Sequence, residues 1–176
     1  MLFRSNEVQV VTTVLGVDMA NPHDVLSINA ASAALMISGI PFEGPIGSVR
    51  VAYTTEGNWI PHPTYEEGEA STFELVVAGR ELDNGDVAIM MVEAGGTEQS
   101  FYFYEDGAPK VDEVALAEGL DASKQWIKES IALQRQLVAS VIATSGPIEQ
   151  LPFTPVLDYT PEVFAAVEGC VTAEIS

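Results

Sequence analysis

Apolar and polar positions change period along the chain. Between residues 8 and 17 the β-branched residues Val8, Val10, Val11, Thr12, Thr13 and Val14 crowd together. Such side chains suit a pleated surface better than a helix, so the segment predicts a buried strand. Asn21-Pro22-His23-Asp24 then offers an N-cap, a first-turn proline and an acid, and an alanine-rich stretch over 25–38 follows, closed by Gly39 and Pro41. This predicts a helix with both ends signalled. Residues 30–37 are all small or apolar, so the helix should be buried nearly all round.

A loop over 42–47 leads into the alternating Val49, Val51 and Tyr53, then a Gly57-Asn58 turn, with 58–62 returning as the second strand of a hairpin. The apolar runs 73–78 and 87–92 flank Leu82-Asp83-Asn84-Gly85-Asp86, whose Asn-Gly is a strong turn signal, so a second hairpin is expected. Residues 101–104 predict one further strand, ended by Asp106-Gly107 and Pro109. From Asp112 the spacing becomes helical: Val114, Leu120, Ile127, Ile131, Val138 and Ile142 share a stripe that excludes Lys124, Lys128 and Arg135. The helix should run to about Ala143. Gly119 within it implies either a bend or a closely packed neighbour. Thr144-Ser145-Gly146-Pro147 ends it, and Pro152, Pro155 and Pro161 read as an extended connector into a short helix over 161–167. The fold class is α+β.

Composition narrows the functional classes. With 47% hydrophobic and 19% charged residues the chain has enough apolar content for a core, despite a net charge of -19. Seven Lys+Arg against 26 Asp+Glu make a surface that repels phosphate backbones, so the isolated chain should bind RNA or DNA poorly. The single cysteine, Cys170, closes no internal disulfide and cannot supply a cysteine metal cluster. No apolar run reaches the ~18 residues of a membrane span, and residues 1–5 lack a signal-peptide core, so a cytoplasmic location and no membrane partner are expected.

Candidate chemistry is sparse. Glu66, Glu67 and Glu69 stand in an expected loop where carboxylates can hold a hard cation; a solvated acidic loop is the competing and simpler reading. His23 and His62 lack ligand spacing, so surface or capping roles suit them better, and Ser27, Ser32 and Ser38 lack the glycines of a nucleophile elbow, so hydroxyls bonding back to the helix are the simpler reading. Phe101-Tyr102-Phe103-Tyr104 can stack bases, against the plainer reading of alternating core and surface positions on a strand. The 39–47 segment has glycines but no lysine and is no P-loop.

Asn29-Ala30-Ala31-Ser32-Ala33-Ala34-Leu35, Ser38-Gly39-Ile40-Pro41-Phe42, Gly44-Pro45-Ile46-Gly47, Val49-Arg50-Val51, Pro63-Thr64 and Leu75-Val76-Val77-Ala78-Gly79 closely resemble, in order, the first core of bacterial polynucleotide phosphorylase. The match runs from about Asn6 to Val141. Gly79-Arg80-Glu81-Leu82, residues 85–93 and Gly119-Leu120-Asp121-Ala122 resemble the actinobacterial form, often described as a bifunctional guanosine pentaphosphate synthetase. The resemblance implies a ribonuclease PH-like fold, a mixed sheet with packed helices, over residues 1–143 and lacking its N-terminal part. Residues 144–176 would be a connector into a truncated all-helical linker region. It further implies Mg²⁺-dependent 3'-to-5' phosphorolysis of RNA to nucleoside diphosphates by a homotrimer, in which this piece packs against a second core of the same chain.

The second core of that family places a Ser-Ser pair where His23 and Asp24 align here, and two aspartates and a lysine where Gly68, Glu74 and Val76 align. By this resemblance the chain has no catalytic, phosphate-binding or metal-binding residues of its own. Mg²⁺ would be bound by the absent second core, and RNA by the longer protein. Two other readings remain open: an autonomous acidic scaffold or binding domain of the same fold, and a metal-dependent hydrolase using Glu66, Glu67 and Glu69.

Overall fold

A computed structural model describes residues 8–152 and 159–175. These divide into two compact units, residues 10–150 and, separately, residues 8–9, 151–152 and 159–175. Expectations for residues 1–7, for 153–158 with Pro155 of the connector, and for Ser176 lie outside the described residues. The larger unit begins with helix α1 (Asp24–Ile37), followed by strands β1 (Gly47–Thr54) and β2 (Trp59–Pro61) and the short helix α2 (Tyr65–Glu69). Strands β3 (Ser71–Glu81) and β4 (Val87–Gly96), helix α3 (Ser100–Glu105) and the long helix α4 (Glu113–Ser145) complete it. The sheet order is β2-β1-β3-β4 with every pairing antiparallel.

Both hairpins form as their turn residues require. Gly57 (φ 85°) and Gly85 (φ 78°) take the left-handed backbone that their turns need, and Leu82 N–H closes the second turn on Asp86 O at 2.8 Å. Val49 and Val51 of β1, Leu75 and Val77 of β3 and Val87 of β4 form the core with Ile127 and Ile131 of α4. Helix α4 buries Ala115, Gly119, Ser123, Ile127 and Ile131 at four-residue steps. Its predicted stripe is right at the two isoleucines and wrong at Val114, which is 65% exposed. The closely packed neighbour of Gly119 is Trp59: a Cβ at 119 would lie 2.5 Å from the indole, whose Nε1 donates to Ala115 O. Asp112 caps α4 by accepting from Val114 and Ala115 N–H.

Several expectations are corrected. Residues 8–17 form no strand; Val11 and Leu15 are 75% and 96% exposed. β-Branched composition favours a strand once an edge is there to pair with, and no described strand pairs with this segment. The mixed sheet implied by the resemblance is, among the described residues, wholly antiparallel. Residues 101–104 are helical, because β4 runs on to Gly96 and leaves residues 97–99 to turn the chain, with Tyr102 and Phe103 N–H both bonding back to Gln99 O. Helix α1 begins at Asp24 rather than after Asn21, since Asp18 takes the Ala20 and Asn21 amides and the Asn21 side chain. Those bonds, from the Asn21 and Ala20 backbone and then the Asn21 side chain, push Asp18 down to a pKa of about 2. Nor is α1 buried all round: Val25 and Ser32 are buried, whereas Leu26 is exposed.

Side-chain amides and hydroxyls fasten α1 to β1. Short β2 pairs only with residues 51–53 of β1, with His62 N–H adding a bond to Arg50 O, which leaves the backbone groups of Ser48 on that edge without a strand partner. Asn29 fills the place of a strand there, its Oδ1 accepting from Ser48 N–H (2.8 Å) and its Nδ2 donating to Ser48 O (3.0 Å). One step earlier, Ile46 N–H donates to Ser32 Oγ, Ser32 Oγ donates to Gln134 Oε1, and Gln134 Nε2 donates to Ile46 O. Ser32 and Gln134 are buried, and the network satisfies both.

In the smaller unit helix α5 (Pro161–Ile175) extends eight residues beyond its predicted end. Tyr159 stacks on Phe164 at 5.8 Å. No helix of the described residues is long and apolar enough to cross a membrane.

Candidate functional site

The face of the sheet that carries Ser48, Arg50 and Ala52 also carries Glu74 and Val76. Register places Arg50 opposite Val76 and Ala52 opposite Glu74, so Arg50 and Glu74 are diagonal neighbours. The first residue of α1 reaches the same point. Arg50 Nη2 bonds Asp24 Oδ2 at 2.5 Å and Arg50 Nη1 bonds Glu74 Oε2 at 2.6 Å, making a carboxylate–guanidinium–carboxylate bridge. Arg50 Nε is buried without a hydrogen-bond partner.

Burial opposes the charge on Asp24. The Arg50 hydrogen bond, the Val25 amide and the guanidinium charge outweigh it and hold the carboxyl below its ordinary value. Burial likewise opposes charge on Arg50, yet the Asp24 hydrogen bond and the Glu74 and Asp24 charges raise its pKa. The bridge borders a cleft of about 420 Å³ lined by Pro22, Thr64, Tyr65, Gly68, Glu69 and Thr97, along with Arg50 and Glu74. A smaller hollow of about 180 Å³, lined by Val76, Glu93 and Gly95, shares Arg50 and Glu74.

Of the five positions singled out by the resemblance, the structure brings Asp24, Gly68, Glu74 and Val76 around Arg50. Asp24 and Glu74 meet on Arg50. Gly68 lies against Glu74: a Cβ there would sit 2.6 Å from Glu74 Oε1, so the missing side chain makes room for the carboxylate. Val76 is buried across from Arg50. His23 stands at the start of α1 with no side-chain capping bond, its carbonyl accepting from the Ser27 amide and hydroxyl. His62 has a positive φ of 52° and bonds through its backbone to Arg50 O.

The acidic segment is not a loop. Thr64 and Glu67 form a reciprocal capping box that starts helix α2, because Thr64 Oγ1 accepts from Glu67 N–H while Glu67 Oε2 accepts from Thr64 N–H. Glu67 is thereby engaged and Glu69 lines the cleft, and among the described residues no three His, Cys, Asp or Glu converge as metal ligands. Ser27 and Ser38 bond back to their own helix as expected, whereas Ser32 reaches across to Gln134. Cys170 is exposed on α5. Arg50, which lines the cleft, belongs to no motif that marks it as a site residue in the sequence. The available signal was an arginine between two core valines in a chain with seven cations.

No protein-family model matches the chain. It is similar to curated proteins named polyribonucleotide nucleotidyltransferase. The one from Salinispora tropica is 48% identical over 171 residues, covering 97% of this chain and 21% of that protein. The Nocardioides relative is 47% identical with 97% and 22% covered, and that of Acidothermus cellulolyticus is 45% identical with 97% and 21% covered. The chain thus spans about a fifth of the length of these relatives, and the likeness to that segment of them is shown along nearly all of it.

Proposed function

We propose that, as a segment of a polyribonucleotide nucleotidyltransferase, this chain is a structural and trimer-forming core without chemistry of its own. The longer protein would degrade RNA from the 3' end by phosphorolysis, releasing nucleoside diphosphates in the cytoplasm. Its Mg²⁺ and RNA would be held elsewhere, and a second ribonuclease PH-like core and other protomers would be this core's partners. Residues 1–143 would belong to the ribonuclease PH-like core and residues 144–176 to the connector.

The observation that carries this reading is the Asp24–Arg50–Glu74 bridge. Phosphoryl transfer needs cations free to meet phosphate oxygens as charge shifts in the transition state. The guanidinium of the cleft is already committed to two carboxylates, and Glu69 and Glu98 add further negative charge to the walls. An incoming phosphate would therefore face carboxylates first, and His23, Asp24, Gly68 and Val76 supply no lysine or hydroxyl to receive it. Given poly(A), inorganic phosphate and Mg²⁺, the chain should release no nucleoside diphosphate. Release at the rate of an intact polyribonucleotide nucleotidyltransferase would overturn the assignment.

A further inference from the structure

Helix α3 carries two large aromatic side chains in solvent. Phe101 and Tyr102 are 62% and 61% exposed and meet edge to face, ring centroids 5.6 Å apart at 80°. The helical rather than extended backbone puts these neighbours outward, while Phe103 and Tyr104 are half-buried. Carboxylates flank the pair: Glu98 one turn before, Glu105 and Asp106 just after, all exposed and none in an ion pair among the described residues. Elsewhere in the chain Asp24, Glu74, Glu81 and Asp86 each engage a cation. Near α3, exposed Lys110 is the one basic residue in the 97–110 stretch.

We propose that the Phe101–Tyr102 pair with Glu98, Glu105 and Asp106 is a docking surface for a cationic, arginine-bearing peptide segment of a partner protein. Aromatic faces attract guanidinium groups, and nearby unpaired carboxylates accept their N–H donors, so one arginine can satisfy both. Exposed aromatics of this size are the residue type on which interfaces concentrate binding energy. Charge selects the occupant. A nucleic acid would offer bases to the rings but bring its phosphates against three carboxylates. A second copy of a chain carrying -19 would repel itself at the same patch. A basic peptide meets neither obstacle.

The test uses the whole chain and a short fluorescein-labelled peptide of alternating arginine and glycine, with anisotropy read at low and physiological ionic strength. Phe101→Ala/Tyr102→Ala leaves the net charge unchanged, so it separates the aromatic pair from general attraction to an acidic protein. Binding should weaken about tenfold in that variant, persist in Phe101→Tyr/Tyr102→Phe, and fall with salt. Both side chains are exposed, and circular dichroism should show the fold intact. Equal binding by the alanine variant, or no binding of the peptide at low salt, would overturn the proposal. So would an aromatic-dependent preference for a labelled oligoadenylate, or an aromatic-dependent dimer in sedimentation.

Discussion

Two polar clusters tie α1 to β1, and they are built on opposite principles. Asn29, Ser32 and Gln134 are neutral, and their bonds match the backbone groups of Ile46 and Ser48 one for one. Asp24, Arg50 and Glu74 are charged and stand at a cleft, their side chains 53%, 21% and 29% exposed, with one guanidinium nitrogen left over. Neutral groups can be sealed away once every donor has an acceptor, whereas charges lose more hydration than pairing returns unless water stays near. Structural fastening therefore falls to the amides, and the charged bridge borders the cleft over β1 and β3.

The neutral cluster is most vulnerable at Gln134. Gln134→Leu removes both partners of a buried chain of bonds, leaving Ile46 O without its donor and Ser32 Oγ without its acceptor, and should cost about 2–3 kcal/mol in urea unfolding. A midpoint unchanged from the parent chain would show that water replaces the amide and that the cluster is not sealed. The charged bridge should yield less. Arg50→Met leaves two carboxylates unpaired but partly solvated, so the expected loss is about 1–2 kcal/mol after screening. Adding Asp24→Asn and Glu74→Gln should recover most of it, and failure to recover would mean that Arg50 acts through packing rather than charge.

The smallest effect is in pH. Because Asp24 is held below its ordinary value of 3.8 in the folded chain, its contribution is present above that value and is lost as pH falls through the lower folded one. Unfolding monitored from pH 5 downward should therefore show Asp24→Asn losing less stability on acidification than the parent. The neutral cluster has no titratable member, so Gln134→Leu should keep the parent's acid slope; a changed slope in that variant would link the two clusters.

What sequence discloses here follows the range of the interaction. Asn84-Gly85 and the small residues of α1 act locally and are legible, as is the Ile127–Ile131 face of α4. Residues 8–17 and 101–104 mislead because β-preference measures fit to neighbouring strands, which lie outside any short window. The cleft falls between these cases. His23, Asp24, Gly68, Glu74 and Val76 could be chosen by resemblance, but Arg50 gains its place only from the β1–β3 register and the start of α1, neither of which local spacing encodes. Gly68 was legible as an absent carboxylate and not as the space that Glu74 occupies.

That space sets what a substitution at 68 must displace. Any side chain introduced at 68 meets Glu74 Oε1, while Glu74 Oε2 is held by Arg50, which is itself held by Asp24. A carboxylate at 68 arriving alone would push like charge onto like charge and pull Glu74 off its guanidinium. The same residue arriving after Glu74 has been shortened would enter an open position. The space at 68 and the bridge are thus one coupled feature, because a side chain at 68 is accommodated only as far as Glu74 can move its carboxylate off Arg50.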